Sequence, residues 1–265
     1  MLKPYTFPFM PLHTILLAVG GLAAGLLAGL LGIGGGVLMV PLLLLFGIEV
    51  DQAAATSLLA ILITATTGSF QNWRMGYLQP RNVVLLAIPA AALVIVGTEF
   101  GNLLSEHWRR AAFGMLLLAN LYLVSLKKRA AAAQPTSPIS PIAARLVTGS
   151  TSGFMAGLFG VGGGVIMVPL QVLLMNTNIK SAVRNSLAVI ALTSLVACIH
   201  NGLKGDIVYG AGLSLGIGGL VGVQISTRFL PKLPEKFVSR LFRTLLCVLA
   251  AYVFWQAWLA YASQL

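Results

Sequence analysis

Gly29-Leu-Leu-Gly-Ile-Gly-Gly-Gly-Val-Leu-Met-Val-Pro41 is repeated as Gly157-Leu-Phe-Gly-Val-Gly-Gly-Gly-Val-Ile-Met-Val-Pro169. This repetition indicates how the whole chain is organised. Ten of these 13 positions are identical, at an offset of 128 residues. The match continues downstream at an offset of 129, where the paired residues are Ser57 with Ser186, Thr64 with Thr193, Asn72 with Asn201 and Gly76 with Gly205. A shared motif followed by a polar pattern in register indicates that one whole unit was duplicated.

The composition is that of a polytopic membrane protein. Of the 265 residues, 58% are hydrophobic and 9% are charged, whereas a soluble domain carries about 25% charged residues. Apolar stretches of about 20 residues recur along the chain, and each is long enough to cross the hydrocarbon core of a bilayer. The net charge of +11 does not indicate a nucleic-acid partner, since the Lys and Arg residues lie in short loops, where they set membrane topology.

The duplication divides the chain into a first transmembrane repeat at 1–129, a polar linker at 130–141 and a second transmembrane repeat at 142–265. Each repeat contains five apolar segments, at about 14–33, 35–47, 53–71, 82–104 and 110–126, and at about 142–161, 164–175, 185–202, 207–227 and 238–260. The predicted fold is an all-α transmembrane bundle. In each repeat the short second segment is separated from the first by three glycines, so it either spans the membrane or is re-entrant.

The placement of positive charge favours an inverted second repeat. An inverted arrangement puts four Lys and Arg residues on one side and the other 13 of the 17 on the opposite side, the four being Lys3, Arg109, Arg110 and Lys204. An uninverted arrangement divides the same residues nine against eight. Because positive charge concentrates in the cytoplasm, the sequence predicts a cytoplasmic linker and two periplasmic termini.

The two glycine triplets, Gly34-Gly35-Gly36 and Gly162-Gly163-Gly164, have two interpretations. Small residues allow close helix packing in membranes. Three consecutive glycines are nevertheless unfavourable in a helix, at about 1 kcal/mol each relative to Ala, which indicates a break. The amides that open the following half-helix, including those of Val37 and Val165, would then attract an anion. Interrupted helices at matching places in two halves indicate a transporter's central site, so we expect these residues to line the substrate site.

A polar stripe follows on the third segment of each repeat. Ser57, Thr64 and Gln71 are spaced seven apart, so they share one helical face, and Ser186, Thr193 and His200 take the corresponding places. We expect the four hydroxyls to line the same substrate site, although Ser and Thr in helices also bond to the carbonyl one turn back.

The remaining polar candidates have two interpretations each. Glu99 is a candidate for proton coupling or a solvated carboxylate at a segment end. Arg184 is a candidate partner for an anion or a cytoplasmic topology charge, and His200 a titrating group or a satisfied polar residue. Asn72 and Asn201 are candidate substrate contacts or caps of their helices.

No nucleotide-binding loop, metal-ligand spacing or nucleophile–base grouping occurs in the sequence. The sequence therefore predicts neither an enzyme nor a cofactor. Gradients of protons or sodium are the candidate driving force.

The doubled Gly-Leu-x-Gly-x-Gly-Gly-Gly-x-x-x-Val-Pro-Leu, each followed by a helix that carries Ser and Thr and ends near an Asn, resembles the sulfite exporter TauE/SafE family, also called the TSUP permeases. The resemblance covers nearly the whole chain. It implies a secondary transporter of the bacterial inner membrane that handles sulfite, sulfonates or related organosulfur anions.

The sequence thus predicts a secondary carrier that moves a small anion by alternating access, and the resemblance implies the direction of export. A passive anion channel and a membrane accessory protein without transport are the alternatives. The expected partners are the anion and the lipid bilayer, with a homodimer as a candidate assembly.

Overall fold

The computed structural model describes residues 11–105, 108, 109, 111–119 and 140–262. The helices of the first repeat are α1 Pro11–Leu31, α2 Gly36–Leu45, α3 Val50–Arg74, α4 Pro80–Leu103 and α5, described at 108–109 and 111–119. Those of the second are α6 Pro141–Phe159, α7 Gly164–Leu174, α8 Ile179–Lys204, α9 Tyr209–Phe229 and α10 Glu235–Ala262, with a 3₁₀ turn at Leu230–Lys232. The all-α membrane fold predicted from the sequence is confirmed.

Local signals fix where several helices begin and end. Pro80 and Pro141 stand in the first turn of their helices, where the missing N–H is no loss. The Asn178 side chain accepts a hydrogen bond from the Ser181 amide at 2.8 Å and caps α8. The same helix ends at Gly205, whose φ of 81° is left-handed, a conformation that favours glycine.

The described helices fall on the predicted segments, and five of them are long and apolar enough to cross a membrane. The linker predicted at 130–141 lies outside the described residues, except that Ser140 and Pro141 begin α6. Only part of the segment predicted at 110–126 is described.

The two short helices, α2 and α7, are each long enough to cross only half of a membrane. α2 has 10 residues and α7 has 11, so each is about 15 Å long, half of a hydrocarbon core of about 30 Å. α2 turns back along α1, because Leu42 packs beside Gly20 and Gly35 lies beside Ala24. The short second segment therefore has the shape of a re-entrant hairpin with α1.

The two repeats interlock instead of forming separate domains. α1 of the first repeat packs against α9 of the second, and α4 of the first packs against α6 of the second. Glycines make both contacts close: Gly218 lies against Ala18 in the first pair, and Gly157 lies against Val94 in the second. α3 and α8 pack against each other between these pairs. The glycine breaks of both repeats therefore meet inside one bundle.

Candidate functional site

Both glycine triplets interrupt the helical conformation of the chain, as the sequence predicted. Gly34 and Gly35 have φ angles of 75° and 86°, and Gly162 and Gly163 have 79° and 72°. Side chains with a Cβ rarely adopt these angles. Gly35 and Gly163 stand immediately before α2 and α7, so the first turns of the two half-helices, with the buried Val37 and Val165, begin directly at the breaks.

The two breaks lie against each other and against the middle of α3 and α8. Ile61 of α3 and Ile190 of α8, both fully buried, each flank Gly34 and Gly162. A Cβ added to Gly36 would lie 2.9 Å from the Val161 Cα, and one added to Gly164 would lie 2.7 Å from the Ile33 Cα. Glycine is required here because the backbone of one repeat touches that of the other.

Two serines, one from each repeat, form hydrogen bonds with the backbone of the other repeat at the junction where the two breaks meet. The Ser57 hydroxyl, on α3, lies 2.7 Å from the Gly160 carbonyl oxygen of the second repeat and 2.8 Å from the Ala54 carbonyl oxygen of its own helix, and it shares its one proton between them. The Ser186 hydroxyl, on α8, lies 2.7 Å from the Gly32 carbonyl oxygen of the first repeat and 2.9 Å from the Val183 carbonyl oxygen of its own helix. Both serines are fully buried. These residues were predicted to donate to an anion, and in this conformation they bind the carbonyls that flank the breaks.

The rest of the polar stripe bonds mainly to backbone. Thr64 donates to the Ala60 carbonyl at 2.8 Å and Thr193 to the Ile190 carbonyl at 3.1 Å, each within its own helix. Gln71 donates to the Gln224 carbonyl of α9 at 3.1 Å. The structure brings Ser57 and Ser186 directly to the breaks and places the threonines about two turns further along; their contact with substrate stays a prediction.

Glu99 and His200, which the sequence singled out separately, form one cluster. The His200 Nε2 lies 2.6 Å from the Glu99 Oε1, and the Lys204 ammonium also binds that oxygen. The three side chains are 24%, 49% and 35% exposed in the order His200, Glu99, Lys204. Asn201 nearby donates its side-chain amide to the Ala197 carbonyl. The cluster lies where α4 and α8 end, away from the breaks.

Asn72 and Arg184 meet at the opposite end, where α3 ends and α8 begins. The Tyr77 amide donates to the Asn72 backbone carbonyl at 3.0 Å, so Asn72 helps to close α3 through its backbone. The guanidinium carbon of Arg184 lies 3.8 Å from the centre of the Tyr77 ring. Tyr77, Asn185 and Gln171 were not predicted from the sequence. The last two could have been found because they differ from the residues at the corresponding positions of the first repeat.

Of the cavities that adjoin these elements in the described part of the chain, two are larger than a single water molecule requires. One of about 100 Å³ runs along α2, and its lining includes Val37, Val161 and Arg109. Arg109, which the sequence analysis counted only as a topology charge, also pairs with Asp51 at 2.7 Å. The other, of about 380 Å³, lies between the ends of α3 and α9; its polar lining comprises Thr67, Gln71, Arg74, Gln224 and Arg228. Within the described ranges, no group of three His, Cys, Asp or Glu residues could hold a metal ion.

Known proteins resemble this chain along most of its length. Residues 17–253 match the family described as sulfite exporter TauE/SafE. A probable membrane transporter protein of Xylella fastidiosa strain Temecula1 is 25% identical, over 94% of this chain and 98% of its own length. In Bacillus subtilis, the probable membrane transporter protein YjnA is 30% identical, with 82% and 92% covered, and YunE is 23% identical, with 91% and 97% covered.

Proposed function

This chain belongs to the sulfite exporter TauE/SafE family, and we propose that it is a secondary carrier that exports small anions. Sulfite, sulfonates or related organosulfur anions are the proposed substrates, carried by alternating access across the bacterial inner membrane. One observation supports the proposal most: two broken helices, one from each repeat, begin side by side in the interior of a membrane bundle. Such paired interruptions are typical of the central sites of secondary transporters.

The chemistry of the junction suits an anion. The first N–H groups of a helix lack partners within the helix, and the helix dipole makes this end partly positive. α2 and α7 both begin at the junction, so two such ends converge there. Amides and the Ser57, Thr64, Ser186 and Thr193 hydroxyls can surround a tetrahedral oxoanion. Because none of these groups carries a full charge, the anion can also leave, as a carrier requires.

The directions of the helices support an inverted second repeat. Ala18 and Leu22 of α1 lie beside Gly218 and Gly222 of α9, so α1 and α9 run in the same direction. α3 also runs with α9, since Thr56 lies beside Gly212 and Thr64 beside Gly219.

On the other flank, α4 runs with α6, because Ala90 and Val94 lie beside Gly153 and Gly157. A five-residue turn at 75–79 joins α3 to α4, which reverses the chain. α1 and its counterpart α6 therefore run in opposite directions. With the charge distribution, this supports a cytoplasmic linker and periplasmic termini.

Transport requires the junction to open. Ile61 and Ile190 fill the space beside both breaks and are fully buried, so an anion reaches the half-helix ends only when α3 and α8 separate from them. The Ser57–Gly160 and Ser186–Gly32 bonds lie on the two sides of this junction. We propose that these bonds break as the repeats rock, which frees both hydroxyls for the anion, and that Glu99 with His200 is the candidate group for proton coupling.

Flux measurements in proteoliposomes test the proposal. Protein-dependent movement of ³⁵S-labelled sulfite or of labelled sulfoacetate should exceed that of empty liposomes and respond to an imposed proton or sodium gradient. Gly35→Leu should abolish it, because a Cβ at Gly35 would already lie 3.1 Å from the Met39 Cε and 3.2 Å from the Ala24 carbonyl oxygen, which leaves no room for a larger side chain. Gly47→Leu is the matched control, since Gly47 has a φ of 78°, similar to the 86° of Gly35, but open space around it.

Flux without any response to a gradient would indicate the channel alternative. Failure of both anions to move would contradict the proposed substrate class, and an accessory protein would show no flux of any anion. If Gly35→Leu transports as well as Gly47→Leu, the placement of the site at the breaks is wrong.

A further inference from the structure

Three buried polar side chains at one end of the bundle lack the partners that buried polar groups normally have. Asn72 is fully buried, Asn185 is 1% exposed and Arg184 is 8% exposed. Both side-chain amide atoms of each asparagine and the Nε of Arg184 have no hydrogen-bond partner in the described part of the chain. Most buried polar atoms in folded proteins are bonded, so this concentration of unbonded atoms needs an explanation.

The three residues belong to one region. Tyr77 donates its amide to the Asn72 carbonyl, and its ring lies under the Arg184 guanidinium at 3.8 Å. Asn72 follows Gly68 by one helical turn, and a Cβ on Gly68 would lie 3.4 Å from the Leu187 Cδ1 of α8. Asn72 therefore faces α8 at the level of Arg184, and Asn185 is the next residue along α8.

The charge of Arg184 is not neutralised by a carboxylate. No salt bridge joins Arg184 to an acidic residue within the residues described. Glu49 and Asp51 lie where α3 begins, and Glu99 and Asp206 lie where α4 and α8 end, which is the opposite end of the bundle. Glu235 opens α10 at Arg184's end of the bundle, but it is exposed and forms no salt bridge with Arg184 in the ranges that the structure describes. A buried cation without a counter-ion is costly, unless an anion is bound during the functional cycle.

The first repeat shows that the fold does not need the residue types of Arg184 and Asn185, whereas the counterpart of Asn72 is also an asparagine, Asn201. At the offset of 129, Arg184 corresponds to Ala55, which is 2% exposed, and Asn185 corresponds to Thr56. The Thr56 hydroxyl is satisfied, because it accepts a hydrogen bond from the Val208 amide at 3.0 Å. The same position that packs an alanine in one repeat thus carries an unpaired cation in the other.

We propose that Arg184 and Asn72 bind a small oxoanion, such as sulfite or a sulfonate, at the end of the bundle where α3 ends and α8 begins. The guanidinium and the Asn72 carboxamide supply N–H donors, and the Tyr77 ring holds the guanidinium in place. The inference rests on the proposed transport of anions, and it names the residues that select the substrate on one side.

The position suits a site that precedes the glycine breaks. Ser186, half a turn beyond Arg184, binds the Gly32 carbonyl at 2.7 Å, and Val183, the residue before Arg184, also packs beside Gly32. Arg184 lies on the same turn of α8 but on another face, so an anion held there would lie at the level of the first break and would have to pass around α8 to reach it. In the proposed topology this end is cytoplasmic, the side from which an exporter takes its substrate.

The test is anion binding to purified full-length protein in lipid-free detergent, followed by thermal unfolding over a range of sulfite and methanesulfonate concentrations. The variants are Arg184→Ala, which restores the residue type of the first repeat, and Arg184→Lys. Arg81→Ala is the matched control, since Arg81 is exposed at the same end of the bundle. A parallel series with added phosphatidylglycerol or cardiolipin distinguishes a lipid headgroup from a free anion.

For the wild type we expect stabilisation that rises with anion concentration. Arg184→Ala should weaken binding at least about tenfold, the range for a lost hydrogen bond to a charged group, with Arg184→Lys in between and Arg81→Ala unchanged. Without anion, Arg184→Ala should unfold at the wild-type temperature or above. A purely structural arginine stacked on Tyr77 would instead lower it.

Wild-type affinity in Arg184→Ala overturns this inference but leaves the proposed transport intact, as does equal destabilisation of that variant with and without anion. Stabilisation by the lipids alone also overturns it, because the site would then hold a headgroup. If the wild type neither binds nor transports any anion tested, the proposed function and this inference fail together.

Discussion

Replacing Ser57 and Ser186 with alanine tests whether their hydroxyls join the two repeats. Ser57 and Ser186 each donate across the repeat boundary at 2.7 Å while fully buried. Ser57→Ala leaves the Gly160 carbonyl without this donor, and the loss of a buried partner costs about 1–3 kcal/mol. Measured interhelical hydrogen bonds in membranes lie lower, at about 0.6–1.7 kcal/mol. We therefore expect Ser57→Ala and Ser186→Ala each to lower the free energy of unfolding by about 1 kcal/mol.

Ser194→Ala supplies the matched control on the same helix as Ser186. Ser194 is also fully buried, but it bonds only to carbonyls of its own helix, at Ile190 and Ala191. Its loss should change the free energy of unfolding by only a few tenths of a kcal/mol, since a hydroxyl bonded back to its own helix adds little or no helix stability.

The assay is equilibrium unfolding in mixed micelles with increasing sodium dodecyl sulfate, followed by the fluorescence of the four tryptophans and by circular dichroism. In the double variant Ser57→Ala/Ser186→Ala the two effects should not simply add, because both bonds hold one junction. The reasoning is refuted if both single variants match Ser194→Ala.

Three further predictions follow from the same packing. Gly218→Ala should abolish the monodisperse folded peak in gel filtration, since its Cβ would overlap the Ala18 carbonyl, whereas Gly76→Ala, with open space around it, should keep the peak. Single cysteines introduced by Arg81→Cys and Leu203→Cys, in a Cys198→Ala/Cys247→Ala background, should react with a membrane-impermeant thiol reagent from opposite sides; labelling from one side would contradict the inverted repeat. Glu99→Gln, which removes the carboxylate shared by His200 and Lys204, should abolish proton-driven accumulation while anion exchange continues; unchanged gradient dependence would remove Glu99 from the coupling.

Much of the fold could be predicted from the sequence, because membrane helices are set by local composition. The apolar segments, the glycine breaks and the short second helices all lie where hydropathy and helix propensity indicate. The pairing of α1 with α9 and of α4 with α6 could not be predicted in the same way. Those contacts join residues about 200 and about 60 positions apart, and glycines at helical spacing allow close packing without specifying the partner.

The candidate site was only partly predictable for the same reason. Repetition singled out Ser57 and Ser186, but not that each binds the other repeat's backbone, since a serine beside a helix carbonyl has several partners within reach. Glu99 and His200 were separate candidates until the fold brought their side chains together. Asn185 and Gln171 could not be found from what the two repeats share, because the repeats differ at these positions. Gln171, for example, corresponds to Leu43 in the first repeat.

The most direct test of the central claim is whether the junction of the two breaks becomes accessible to an anion. Ile190→Cys, made in the background without native cysteines, places a thiol beside both Gly34 and Gly162. Its reaction is measured in oriented membranes with the anionic sulfonate reagent 2-sulfonatoethyl methanethiosulfonate and with its cationic trimethylammonium counterpart. We predict reaction from both sides of the membrane, slowed by added sulfoacetate, and a ratio of the sulfonate to the cationic rate that exceeds the same ratio for a free thiol in solution. A thiol that never reacts in a variant that still transports, or a ratio below that of the free thiol, would contradict a central anion site at the glycine breaks.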